Sequence, residues 1–274
     1  MTTPLFIDSN IARALEQAEA AASRAFCDAG ARLYPDKGLR TLSCAGGSAQ
    51  FYGPSDPLNA VKGVGLSGPV DVSQWDAVEA HFRETNSPVV IDLCPLADGA
   101  FIALLMTRAY RIGSFETVMC RRLNPGEAPP TAPIPPGVAI EPVGEEDIEV
   151  WERTLHLGFA SGGEPVRFAV DIGRVRAQVP NSLMLMATVE GVPAGGASLA
   201  THEGVALMSG AAVLPAFRGR GIQQALTAAR LRLATERGCT LAKLDVLAGS
   251  ASYRNAVRAG FQVAYTRPQL IKAW

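Results

Sequence analysis

VALMSGAAVLPAFRGRGIQQAL, residues 205–226, reads as a strand passing through a basic, glycine-rich turn into a helix. Val205 to Val213 is almost wholly apolar and fits a buried strand. Leu214-Pro215-Ala216-Phe217 leads into Arg218-Gly219-Arg220-Gly221-Ile222-Gln223, where the helical pattern begins. Ile222, Leu226, Ala229 and Leu233 recur at helical spacing and form one apolar stripe, while Gln223, Gln224, Arg230, Arg232 and Glu236 occupy other faces. Such a helix packs on a sheet. The glycines let backbone approach an anion closely, and the free amides of a helix N-terminus present the positive end of its dipole. Arg218 and Arg220 add charge that a diphosphate would neutralise. A basic surface turn without a ligand could have the same composition, but a preceding strand and a following amphipathic helix are the context that an anion-binding turn requires.

Outward from this turn, the C-terminal half predicts a strand at 138–142, a helix starting near Glu145, Glu146 and Asp147, a helix at 164–178, and strands at 183–189, 194–202 and 205–213. A helix at 220–237, a strand at 240–246, a helix at 250–259 and a strand at 261–270 follow. In the N-terminal half, Asp8 or Ser9 caps a helix carrying Ile11, Leu15, Ala18, Ala22 and Phe26, with Gly30 as its stop. Strands at 39–44, 48–53 and 60–66, a helix at 73–83, a strand at 89–93, a helix at 98–107 and a strand at 111–122 complete it. Residues 124–137, NPGEAPPTAPIPPG, read as an extended interdomain linker. The expected domains are therefore 1–123 and 138–274. Both halves end alike: MTRAYRIGSFETVMCRRL and AVRAGFQVAYTRPQLIKAW each follow an apolar strand, VVIDL or LAKLDVL, which points to a duplicated unit. Two unrelated α/β halves are the alternative.

At 274 residues, 48% of them hydrophobic and 19% charged, the chain has the composition of packed globular domains. A net charge of −1 lacks the basic excess that nucleic-acid phosphates or anionic lipid would demand, so small molecules are the expected partners. The N-terminal residues do not resemble a secretory signal and no apolar run is long enough to span a bilayer, so a cytoplasmic location is expected. Cys27, Cys44, Cys94, Cys120 and Cys239 lie far apart and read as reduced structural thiols. His81, His156 and His202 are equally scattered, and no metal is expected.

The turn resembles that of the GCN5-related N-acetyltransferases. Their Q/R-x-x-G-x-G/A pattern is matched by Arg218 and Gly221, with Gln223 where the family usually has Gly or Ala. Residues 137–274 follow the family's order of elements, and Ser252-Tyr253-Arg254-Asn255 through Gly260-Phe261 resembles the segment lining the other side of its coenzyme cleft. The resemblance implies an α/β fold with a mixed sheet, built as two tandem acyl-CoA N-acyltransferase-like domains, the first of them degenerate. It implies acetyl-CoA as co-substrate and a primary amine of a small molecule or peptide as acceptor. Ala211 and Val213 would pair with the pantetheine arm, amides from Gly219 through Arg220, Gly221 and Ile222 to Gln223 would take the diphosphate, and Asn255 would contact the coenzyme.

The family's usual tyrosine acid falls at Ala256; Tyr253, one helical turn away, is the candidate substitute, with packing or contact at the coenzyme's edge as its other role. No carboxylate lies on 205–213; Glu203 and His202 read as solvated turn residues, which leaves Glu164, with Phe159 nearby, as the candidate bordering the acceptor. A coenzyme-binding regulatory module without turnover is the alternative function; an aminoacyl-transfer enzyme would need a basic face that the charge balance does not supply. In the N-terminal half the corresponding segment, KGVGLSGPVD at 62–71, has no arginine before its glycines and carries Asp71 and Pro69, so it is not expected to hold a second diphosphate. That half is expected to cover the other and shape its acceptor site. The oligomeric state is open.

Overall fold

The computed structural model describes residues 5–124, 132–160 and 167–274. The N-terminal half contains α1 (Ser9–Leu33), β1 (Arg40–Cys44), β2 (Gly47–Phe51), β3 (Ala60–Lys62), α2 (Val72–Glu84), β4 (Val89–Asp92), α3 (Gly99–Thr107) and β5 (Arg111–Arg122). The C-terminal half contains β6 (Val138–Pro142), α4 (Ile148–Phe159), α5 (Ile172–Ala177), β7 (Ser182–Val189), β8 (Val192–His202), β9 (Val205–Leu207) and β10 (Ala212–Val213). It continues with α6 (Ile222–Glu236), β11 (Leu241–Val246), α7 (Ala251–Arg258) and β12 (Gln262–Lys272). Both halves repeat one order: three antiparallel strands, a helix, a strand, a helix and a long final strand.

All strands form one mixed sheet in the order β1-β2-β3-β4-β12-β5-β11-β9-β8-β7-β6, with β10 attached to β8. The final strands are exchanged: β5 of the first half lies beside β11 of the second, and β12 of the second lies beside β4 of the first. Within the central pair, Arg267 faces Glu116. Asp92 faces Gln269 just as Asp245 faces Val118, at matching steps from that pair, so a local twofold axis passes between β5 and β12. Asp92 and Asp245 are the aspartates of the two matching strand motifs VVIDL and LAKLDVL.

Alternation along the strands assigns the two faces of the sheet. Val61, Val89 and Ile91 pack under α2 and α3, where Trp75, Phe82 and Phe101 are buried; Met119, Ala206 and Ala242 pack under α6 and α7. Full burial of one such large apolar side chain stabilises the fold by about 1.5–3 kcal/mol. On the opposite face α1 crosses the middle of the sheet, placing Ala12, Leu15 and Ala18 against Val118, Leu207 and Tyr265, and α4 continues that layer with Trp151 and Leu155 over Met184. No described helix is long and apolar enough to cross a membrane.

Four elements depart most from those expected, the others agreeing to within about two residues at each end. The first helix runs through Gly30 to Leu33, because Gly30 is buried where an added Cβ would lie 2.7 Å from Leu39 Cδ2; the glycine serves packing, and Tyr34 donates its amide to the Gly30 carbonyl at the true end. The strand expected at 60–66 stops at Lys62, since Gly63 (φ 71°) and Gly65 (φ 80°) turn the chain so that Val64 and Leu66 enter separate apolar clusters. The helix expected at 164–178 is seen as Ile172–Ala177, residues 161–166 lying outside the described residues. Its start is set by Glu152 of α4, whose carboxylate accepts from the amides of Ile172 and Gly173 at 2.9 and 3.0 Å. The strand expected at 205–213 is divided into β9 and β10, and this division creates the cavity described next.

Candidate active site

β10 reaches α6 through a short 3-10 turn, Pro215–Phe217, and a basic loop. Gly219 (φ 77°) and Gly221 (φ 79°, ψ 0°) both adopt left-handed conformations that glycine alone reaches without steric cost. Gly221 is the N-cap of α6, so no side chain closes the helix start, and no acidic residue occupies its first turn. The leading amides of a helix have no intrahelical acceptor, and here they are left for an external anion.

The two arginines of the turn have separate tasks. Arg218 donates Nε to the Val213 carbonyl at 3.2 Å and Nη2 to the Gly158 carbonyl at 2.8 Å, strapping the loop to the last turn of α4. Arg220 lies 5.3 Å from the centre of the Phe217 ring. Close approach of α4 depends on Gly158, where an added Cβ would lie 2.7 Å from Ala212 Cβ.

β9 and β11 run parallel only over Val205–Leu207 and Leu241–Lys243, followed by a bond from the Met208 amide to the Lys243 carbonyl at 2.8 Å. Beyond it β10 pairs with β8, while Leu244–Val246 of β11 have no strand partner on that side among the described residues. The parting is held open by Ser198, whose amide and hydroxyl both donate to the Ser209 carbonyl. Arg230 of α6 stands behind it, 2% exposed, donating to the carbonyls of Ser198 and Ser209 at 3.3 and 3.4 Å; burial lowers its guanidinium pKa to about 10.

A cavity of about 840 Å³ passes through this parting. On the α6 and α7 side it is lined by Gln223, Thr227, Ser252, Asn255 and Ala256; between the strands by Ser209–Ala211 and Leu244–Val246. On the far side its walls are α1, α4, α5 and strands of the N-terminal half, including His156, Phe159, Glu19 and Glu116.

Of the residues singled out in the sequence, Ala211, Gln223, Asn255 and Phe159 line the cavity. Gly219, Arg220, Gly221 and Ile222 form the loop and helix start leading to Gln223. Val213 is buried in the β10–β8 pair with its carbonyl taken by Arg218. Tyr253 packs with Leu231 and Phe261 and is not among the lining residues, whereas Ala256 is. Glu164 lies outside the described residues.

The floor of the cavity is a network of charges drawn from distant parts of the chain. Arg267, 1% exposed, holds Glu16 at 2.9 Å, Glu19 at 2.8 Å and Glu116 at 2.8 Å. Lys62 pairs with Glu19 and with Asp92 at 2.9 Å, and Lys243 pairs with Glu19 and with Asp245 at 2.8 Å. Burial alone would raise the Glu19 pKa, but Arg267, Lys243 and Lys62 outweigh it and hold the carboxyl well below its ordinary value. At Asp92, likewise, Lys62 and Arg267 overcome burial and lower the pKa. At Glu16 burial prevails and the pKa rises. Glu116 is also raised, first by burial and then by the neighbouring Asp245 carboxylate, against the pull of Arg267. A signal for this floor was present in the matched endings of the two halves, where Glu116 and Arg267 hold corresponding places in the middle of the final strands.

Residues 149–261 match the model of the acetyltransferase (GNAT) family. No curated protein matches the chain. Among solved structures, a GCN5-related N-acetyltransferase from Kribbella flavida is 20% identical, with 93% of this chain and 96% of that one covered at a TM-score of 0.62. A tandem GNAT protein from the clavulanic acid biosynthesis pathway is 16% identical, with 94% and 96% covered at a TM-score of 0.56. A GCN5-related N-acetyltransferase from Sphaerobacter thermophilus is 19% identical, with 73% and 65% covered at 0.54. At such identities the likeness is one of fold: a mixed-sheet, tandem GNAT-like architecture.

Proposed function

We propose that this chain, whose residues 149–261 form a domain of the acetyltransferase (GNAT) family, transfers the acetyl group of acetyl-coenzyme A to a primary amine of a small molecule or peptide. One observation carries the reading: the uncapped start of α6, with two left-handed glycines before it, stands beside a cavity that passes through the sheet. The diphosphate would take the amides from Gly219 to Gln223. The pantetheine arm would follow the parting past Ala211, between Ser209–Ala211 and Leu244–Val246, with Asn255 at its side. An extended arm there meets strand groups that the sheet leaves unpaired, as an added strand would. The thioester then reaches the far face, where α1, α4 and the N-terminal half enclose space for an acceptor.

We assign the sequence two units, 1–123 and 138–274, joined by the proline-rich segment 124–137, the first unit being a GNAT-like domain that has lost its coenzyme turn and now walls the acceptor side. All five cysteines are free and buried, which favours a reducing compartment such as the cytoplasm. A second reading, a coenzyme-binding module without turnover, draws its support from Ala256, which lines the cavity where the family usually places a tyrosine.

Thiol release from acetyl-CoA in the presence of primary monoamines, diamines and amino sugars tests the reading. Amine-dependent release is expected. Tight coenzyme binding without release for any amine would leave the binding module in its place.

A further inference from the structure

Glu116 belongs to β5, in sequence part of the N-terminal half, yet strand exchange sets it on the wall of the cavity of the C-terminal half. We propose that Glu116, together with Asp245 of β11, binds the acceptor as an ammonium ion and takes the proton that frees its nitrogen for attack. The N-terminal half thus supplies the base that β9 and β10 lack. The inference rests on the acetyl-transfer reading above.

Position comes first. β5 is registered so that Thr117 faces Val246 and Val118 faces Asp245, which places Glu116 just beyond the free end of β11. Glu116 and Asp245 line the same cavity as Ser209–Ala211, the proposed path of the thioester. The Glu116 side chain is 36% exposed, against 1% for its partner Arg267, so it is the end of the network that a ligand can reach.

Charge comes second. Around Glu116 stand Arg267 of β12, Asp245 and Lys243 of β11, Asp92 of β4, Lys62 of β3, and Glu16 and Glu19 of α1. With Glu116 this makes five carboxylates against three cations. Glu16 and Glu19 are engaged by Arg267 and the lysines, and Asp92 by Lys62. Asp245 Oδ2 takes Lys243 at 2.8 Å and lies 3.6 Å from Arg267 Nη2, but its buried Oδ1 has no hydrogen-bond partner among the described residues. Five carboxylates share three cations, and the carboxylate most open to the cavity is Glu116, 36% exposed, where an ammonium supplies both a positive charge and a hydrogen-bond donor.

Burial and the adjacent Asp245 raise the affinity of Glu116 for a proton, and Arg267 limits the rise, moving a carboxylate toward the range of an effective base. In the transfer, one ammonium proton passes to Glu116 and from there to water. The nitrogen lone pair forms the C–N bond, the C–S bond breaks with its electron pair going to sulfur, and the second proton lost by nitrogen neutralises the thiolate.

The test uses the full chain, acetyl-CoA and the same amine panel. Glu116→Gln should lower kcat/KM by about 100-fold or more and abolish the acid limb of its pH profile, with coenzyme affinity measured by calorimetry unchanged within about threefold. Glu116→Asp should restore about tenfold of the loss. If Glu116→Gln keeps kcat/KM within about threefold of wild type and keeps the acid limb, the proposal is overturned while the acetyl-transfer reading stands. Wild-type protein that binds coenzyme but acetylates no amine overturns both. Should Glu116→Gln fail to fold, Asp245→Asn decides: loss of the neighbouring negative charge should move the acid limb to lower pH, and an unmoved limb overturns the proposal.

Discussion

The β3-to-α2 turn of the first half and the β10-to-α6 turn of the second occupy matching places in a duplicated frame, yet their ends are treated oppositely. In the first, the Asp71 side chain accepts from the Ser73 amide at 2.8 Å and closes the helix with its own negative charge. In the second, Gly221 leaves α6 open. Beside the first turn, Val64 and Leu66 bury themselves in the apolar clusters and Lys62 bridges to Asp92, so the space between β3 and β4 is filled. Beside the second, small residues at 209–211 line a cavity. A helix N-terminus becomes a ligand site only when its own side chains do not satisfy it and the neighbouring strands leave room. The first half meets neither condition; its strands line the cavity of the second instead.

The comparison is broken most severely at the network the halves share. Arg267→Met leaves Glu16, Glu19 and Glu116 without their common cation, and thermal or urea unfolding should show a loss of about 3–5 kcal/mol. Next, Gly221→Asp puts into the second turn the acidic cap of the first. Calorimetry should show acetyl-CoA affinity reduced by about 100-fold, or about 2.7 kcal/mol, alongside a loss of about 1 kcal/mol of stability from the left-handed backbone at this position. Arg218→Ala removes the strap to Gly158 and Val213, and should weaken coenzyme binding by about tenfold through a loosened turn. Asp71→Ala, the smallest change, should cost about 1 kcal/mol of stability. It should leave the stoichiometry at one coenzyme per chain, since Val64 and Leu66 still fill the space. A second equivalent bound by that variant would mean the first turn is merely masked.

Much of this was legible in the chain. Strands at 111–122 and 138–142 stand where they were expected, and the turn at Arg218–Gln223 stands between strand and helix as its glycines demand. Pattern reveals what a strand is made of but not which strand it joins, so the exchange of β5 and β12 was hidden. The long apolar run at 205–213 concealed its own break, because the parting is made by the Ser198 and Ser209 contacts and by β10 turning toward β8. Glu116 escaped for the same reason as the exchange: it lies far in sequence from the turn it serves. Gly30 shows the converse error, a glycine read as punctuation when it lies buried inside the helix with Leu39 packed against it.

The exchanged final strands also set an order of events during synthesis. When β4 leaves the ribosome its neighbour in the finished sheet, β12, has not been made, and Leu270 and Ile271 reach Ile91 and Val90 only after some further 180 residues, by subtraction of their positions. Until then the first half displays an unpaired apolar edge of the kind that recruits foreign strands. Pairing of β12 with β4 is therefore a long-range closure that completes the sheet of the N-terminal half, a slow step by its sequence separation and one that chaperones would be called on to protect.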